Sequence, residues 1–155
     1  MTSTTSSPRL NVTDWITAGL ELLSQEGITG VKIQRLCERL RVTKGSFYWH
    51  FTDLDAFHGA MAKYYEDGAR IFRDQFTEMA QKDAKQSLVD AVAYSYDNRL
   101  GRLERAMRDW ARIDPRASAA MKASDDLAFA AILKSFELLG FSHEEADIRA
   151  KTLFY

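Results

Sequence analysis

Cysteine is almost absent from this chain: Cys37 stands alone among 155 residues, so no internal disulfide can staple the fold and a reducing, cytoplasmic setting is expected. Proline occurs only twice, which leaves long stretches free to be helical. Val and Ile together number 12 against 35 for Ala and Leu, and no period-2 alternation survives beyond a few positions, so little in the chain favours strands. Long apolar runs are missing too. The longest, Leu127 to Leu133, stops at Lys134, far short of the ~18–20 residues that cross a bilayer. The opening MTSTTSSP has neither a basic n-region nor an apolar h-region, so it does not read as a secretory signal. Charge of one sign is lacking as well, since 21 basic and 22 acidic residues leave a net charge of -1; any nucleic-acid footprint must be local.

What is present reads as an all-α protein large enough to bury a substantial core without metal or disulfide, because a fold of this size hides about 68–70% of its unfolded surface. The spacing predicts a first helix over about Thr13–Glu26, with Asn11 or Thr13 as cap, a stripe of Ile16, Leu20 and Leu23, and Gly27 at its end. A second follows at about Lys32–Leu40, where Ile33, Leu36, Cys37 and Leu40 repeat as i, i+3, i+4, i+7. Two residues later Thr43 is expected to cap a short third helix, with Phe47 and Phe51 turned inward. From Asp53 a helical period of aromatic residues runs on for over 20 residues and links two regions. Segments around Leu88/Val92/Tyr96 and Leu100/Leu103/Met107/Trp110 follow. Then comes a helix capped by Asp114 with Pro115 at its first position, apolar on more than one face and so expected at the centre of a bundle. Gly140 ends it, and Ser142 with Glu145 opens a last helix through a capping box. Because the chain stops mid-stripe at Leu-Phe-Tyr, it reads as C-terminally truncated.

Two short helices joined by a tight turn describe a helix-turn-helix. Over residues 32–44, Lys32, Arg35, Arg39, Arg41 and Lys44 face a single Glu38, the local basic excess that DNA phosphates reward through counterion release. A solvated helix face would show the same charges. The following run, Thr43-Lys44-Gly45-Ser46-Phe47-Tyr48-Trp49-His50-Phe51 with Asp53-Leu54, resembles the recognition-helix signature of the tetracycline-repressor (TetR) family of transcriptional regulators. The likeness extends over about residues 13–65. More loosely, Trp110-Ala111-Arg112-Ile113-Asp114-Pro115 resembles the ligand-binding half of some members.

That resemblance implies an N-terminal three-helix helix-turn-helix domain (residues 9–53) followed by a helical ligand-binding and dimerisation bundle (54–155). It implies a non-enzymatic regulator, most simply a ligand-responsive repressor that binds a palindromic double-stranded operator as a homodimer. The expected DNA-contacting residues are Lys32, Gln34, Thr43, Lys44, Gly45, Ser46, Tyr48, Trp49 and His50. Lys44 and Ser46 sit in the first turn, where recognition helices meet base edges, and Gly45 permits close backbone approach. Tyr48, Trp49 and His50 offer hydrogen-bond donors to phosphates and rings to thymine methyls. Three departures stand out: Lys32 where a Ser or Thr usually caps the second helix, Arg41 where a turn glycine is common, and Leu54 where many members carry lysine. Arg41 would be strained if its φ is positive.

In the second half, Tyr65, Phe72, Phe76, Tyr96, Met107, Trp110 and Met121 are candidates to line a pocket for a small organic effector, although such stripes are equally the material of plain core. The arginine row Arg99, Arg102, Arg105, Arg108, Arg112 and Arg116 reads as a solvated face interleaved with carboxylates. His50 and His58 have no ligand partner at i±3 or i±4, so neither a metal nor a cofactor is expected. The rival reading is a helical small-molecule sensor or protein-interaction bundle that does not bind DNA.

Overall fold

A computed structural model describes residues 10–95 and 98–154, the side chains of 94–100 excepted, and among the described residues there are eight α-helices and no strand. Of the two caps the sequence allows for α1 (Val12–Glu26), the fold uses Asn11. Its side chain accepts the Asp14 N–H at 3.0 Å while Asp14 Oδ2 accepts the Asn11 N–H at 2.8 Å. A 3-10 turn (Ile28–Gly30) leads to α2 (Ile33–Leu40) and α3 (Lys44–Tyr48). Lys32 occupies the N-cap of α2 without a side-chain cap bond, as its chemistry requires. The expected cap at α3 is corrected: Thr43 stands at the N-cap, but its side chain makes no capping hydrogen bond.

Between α2 and α3 the chain turns at Arg41, the one described non-glycine residue with positive φ (56°, ψ 46°). Val42 N–H reaches Cys37 O at 3.0 Å and Arg41 N–H reaches Glu38 O at 3.3 Å, a Schellman closure that normally recruits glycine. Val42, half-buried on the core, anchors the turn from its far side.

Asp53 starts α4 (Leu54–Lys82) by accepting the Ala56 N–H at 2.7 Å, and the helix then runs for 29 residues with no proline to stop it. It is followed by α5 (Ala84–Ser95), α6 (Asn98–Ala111), α7 (Pro115–Leu138) and α8 (His143–Phe154). As its apolar faces predict, α7 is central: it packs against α4, α5, α6 and α8.

The main core joins α1, α2, α3 and the start of α4 to Met107 and Trp110 of α6 and to Ala117, Ala120 and Met121 of α7. A smaller cluster gathers Leu88, Ile132 and Ala150 with Phe129, Leu133, Phe136 and Phe154 around them. Close approach of α1 to α4 requires Gly19, where an added Cβ would lie 2.7 Å from Phe57 Cζ and 2.9 Å from Met61 Sδ.

At the junction of α4 with α7, the His58 ring packs edge-on to Trp110 with centroids 5.8 Å apart, and its Nε2 is buried without a hydrogen-bond partner. Burial lowers the basicity of this imidazole, the nearby Arg116 cation adds to the effect, and a backbone hydrogen bond at Val31 opposes it. The native state therefore favours the neutral ring. Its contribution is fully present above the unfolded value of about 6.5 and is lost as the pH falls through the lower native value.

Gly19→Ala should destabilise the fold by about 1–3 kcal/mol through overpacking. Gly68→Ala, whose Cβ meets nothing within 4 Å on α4, should stabilise it by about 0.5–1 kcal/mol; denaturant midpoints decide both. By the same measurement Arg41→Gly should gain about 1 kcal/mol by relieving the left-handed strain. Unfolding free energy should decline from pH 7.5 to pH 5 less steeply in His58→Gln than in the parent, and equal slopes would refute the assignment.

Candidate functional site

The recognition unit is held by one buried ring. Phe47, fully buried, lies 5.5 Å from Trp15, 5.3 Å from Phe51 and 5.6 Å from Phe57, measured between ring centroids. With that side of α3 anchored, a helical rotation sends Lys44, Gly45, Tyr48 and Trp49 outward. Tyr48 is 56% exposed and Trp49 73%, a large aromatic surface for a helix of five residues. Ser46 is half-buried. So is His50, which differs from the outward direction expected of it: three residues on from Phe47, its ring turns back to 6.4 Å from Trp15 and 6.3 Å from Phe51.

Gly45 is not demanded by the protein's own packing, since a Cβ there would meet nothing nearer than Thr43 Oγ1 at 3.7 Å. The glycine leaves open space on the outer surface of α3. Thr43 is exposed, and its side chain, released from capping, is directed to no described partner. Gln34 is exposed on the first turn of α2 and donates to Glu38 Oε1 at 2.9 Å.

The local basic excess divides into two groups. Arg39 donates to Glu21 Oε2 at 2.6 Å and to Gln25 Oε1 at 3.3 Å, and Arg35 pairs with Glu26 and lies 3.5 Å from Glu38; both cations tie α2 to α1. Lys32, Arg41 and Lys44 are exposed and carry no ion pair among the described residues. Burial pushes the Cys37 thiol up, with Lys44 opposing, so the lone cysteine stays protonated in the core beneath α3.

A second feature lies deeper in the bundle, a cavity of about 540 Å³ walled by α4, α5, α6, α7 and α8. Of the residues expected at an effector pocket, Tyr65, Phe72 and Phe76 line it. Met107, Trp110 and Met121 do not: all three are buried in the core shared with α1 and α4, because the inner faces of α6 and early α7 turn toward the helix-turn-helix. Tyr96 lies outside the described residues.

The polar end of the cavity joins Tyr65 to residues that the sequence reading did not assign to a pocket. Arg108 of α6 forks onto Asp125 of α7 (Nη2–Oδ1 2.8 Å, Nη1–Oδ2 3.1 Å) and also holds Glu104 at 2.7 Å. One cation thus balances two carboxylates. Tyr65 lines the cavity together with Ser124, and burial pushes its phenol up to about 12, with Glu104 adding to the shift, so it presents a neutral hydroxyl. The Glu104–Arg108 spacing of i, i+4 is visible in sequence, whereas the reach to Asp125 needs the fold. The arginine row is therefore more than a solvated face. Arg108 and Arg116 bind carboxylates across helices, while Arg102, Arg105 and Arg112 are exposed.

Comparison with known proteins agrees with this geometry. Residues 16–60 match the family described as "Bacterial regulatory proteins, tetR family". Tetracycline repressor protein class G of Vibrio anguillarum is 42% identical over 52 residues, which cover 31% of this chain and 25% of the repressor, so the match spans about a quarter of that relative's length. The crystal structure of E. coli NemR in its reduced form superimposes with a TM-score of 0.69 over 92% of this chain and 82% of that one; at 19% identity the likeness is one of fold. The helix-turn-helix held on Phe47 and the match over residues 16–60 coincide, and that segment is similar to the N-terminal domain of the TetR family of bacterial regulatory proteins.

Proposed function

We propose that this protein is a DNA-binding transcriptional regulator whose α2–α3 unit docks on duplex DNA, with residues 9–53 as the DNA-binding part and 54–155 as the regulatory part. The observation that carries the reading is the pairing pattern of the basic residues. Arg35 and Arg39 are neutralised by α1, whereas Lys32, Arg41 and Lys44 stand unpaired beside exposed Tyr48 and Trp49 and beside a glycine the fold does not need. Unpaired cations release counterions from phosphates, and aromatic tips with hydroxyl or indole donors suit the groove wall. In this reading Thr43 and Gln34 meet phosphates, Lys44 and Ser46 meet base edges, and half-buried His50 contributes less surface than Tyr48 and Trp49.

In this reading a second copy supplies the other half of a palindromic site, with recognition helices ~34–36 Å apart. Exposed Leu138, Leu139 and Ile148 on α7 and α8 and in the turn between them are apolar material for such a dimer. The cavity accepts a small organic effector whose body packs on Phe72 and Phe76 and whose polar groups meet Tyr65, Ser124 and the Arg108 cluster. Repression is relieved when that effector binds the DNA-free form more tightly than the bound form, by the same factor by which it weakens DNA binding. The setting is the cytoplasm; no described helix is long and apolar enough to cross a membrane.

Selection of bound duplexes from a random library, followed by salt titration on the best site, tests this. A palindrome should be enriched. Lys44→Ala should weaken binding and reduce the salt slope by about one per protomer, while Arg39→Ala, whose charge is already neutralised, should leave the slope unchanged. A sensor or interaction bundle without DNA affinity would show no enrichment, and slopes equally reduced in both variants would refute the division of the cations.

A further inference from the structure

Where α7 begins, Arg116 uses every donor it has. Nε gives a hydrogen bond to Asp114 Oδ1 (3.1 Å) and Nη2 to Asp114 Oδ2 (2.8 Å). Nη2 also reaches Asp55 Oδ1 (2.8 Å), and Nη1 reaches both Asp55 Oδ2 (3.1 Å) and the Asp55 backbone carbonyl (3.0 Å). All five guanidinium N–H groups are thus spent on two residues. Asp114 is the N-cap of α7 and Asp55 lies in the first turn of α4, directly behind the recognition unit.

The surroundings define how the guanidinium is held. Its flank lies over Gly59, where a Cβ would stand 3.5 Å from Nη1. Hydrogen bonding from Arg116 holds the Asp114 carboxyl down to about 2. Yet the Asp55 side chain is 79% exposed, and ion pairs of that exposure add little to stability. What a saturated, planar fork does supply is direction: it permits one angle between the two elements it joins.

Both joined helices continue to the cavity. Asp55 and Tyr65 are ten residues apart on α4, about 15 Å along the helix, and Arg116 and Ser124 are eight apart on α7, about 12 Å. α4 and α7 are consequently tied by the fork at one end and line the same cavity, through Tyr65 and Ser124, at the other.

We infer that Arg116 is a positioning residue: by clamping the first turn of α4 to the start of α7 it sets the direction in which the recognition unit is presented, and so the half-site spacing the regulator accepts. The inference rests on the DNA-binding reading above. Its expected signature is loss of spacing discrimination with little change in contact chemistry. Arg116 does not itself touch DNA in this scheme.

The test uses the full chain with Arg116→Ala, Arg116→Lys and Asp55→Asn, the last at an exposed position that leaves folding intact. Affinity is measured for the selected operator, for the same operator with its half-sites one base pair closer or farther, and for a duplex carrying one half-site. The parent should prefer one spacing. In all three variants that preference should shrink by about fivefold or more, while single half-site affinity and salt slope stay within about twofold. Arg116→Lys keeps the charge but not the fork, so parent-like behaviour in that variant would overturn the clamp, as would a parallel loss of half-site affinity. Amide exchange over residues 54–60 provides a readout without DNA: it should quicken in the Arg116 variants and not in Lys122→Ala. Unchanged exchange overturns the clamp even if DNA binding holds, whereas quickened exchange in a chain that binds no duplex retains the clamp and refutes the DNA reading.

Discussion

Burial of Phe47 is the constraint on which the rest depends. A five-residue helix cannot hold its own conformation in water, because nucleation of so short a segment is unfavourable. α3 persists because Phe47 is enclosed by Trp15 of α1, by Phe51 and by Phe57 of α4, each ring contributing edge-to-face or tilted contact as well as apolar area. That single anchor fixes the rotation of α3, and the rotation decides which side chains are exposed. Gly19 belongs to the same constraint, since only a residue without Cβ lets α1 approach Phe57 this closely.

Charge is distributed with the same economy. Arg35 and Arg39 resemble DNA contacts in sequence, yet Glu26 and Glu21 claim them, so they brace the first helix pair. Lys32, Arg41 and Lys44 remain as the outward charge. Arg41 carries a backbone cost as well, holding φ +56° at a turn where glycine would be relaxed. A strained residue with an unpaired charge at the mouth of a recognition unit is more readily understood through an external contact than through stability.

α4 and α7 convert a local surface into a connected molecule. The core crosses the boundary drawn from sequence between the helix-turn-helix and the bundle: Met107, Trp110 and Met121 pack with α1 and α4 instead of facing the cavity. The cavity is consequently walled by fewer of the aromatic candidates, and it has a polar end in the Arg108–Asp125–Glu104 cluster and Tyr65. Two continuous helices, α4 and α7, run from that end to the Arg116 fork at the first turn of α4.

Local chemistry was legible in the sequence. Helical period, the capping residues Asp114 and Ser142, the stop at Gly27 and the recognition signature from Thr43 to Phe51 depend on neighbours within a few positions, so their meaning survives without a fold. Even the departures were visible, since Lys32 lacks a capping oxygen and Arg41 lacks the freedom of glycine whatever surrounds them. The tertiary structure alone decided that Arg35 and Arg39 are neutralised while Arg41 is not, that His50 is half-buried against Trp15 and Phe51, that Thr43 leaves its cap unmade, and that three apolar candidates belong to core. It also brought Asp55 and Arg116, 61 residues apart, into one fork. The reason is physical: periodicity assigns a side chain to a face of its helix, but which helix covers that face, and which charge lies across from it, is set by long-range packing that no local window contains.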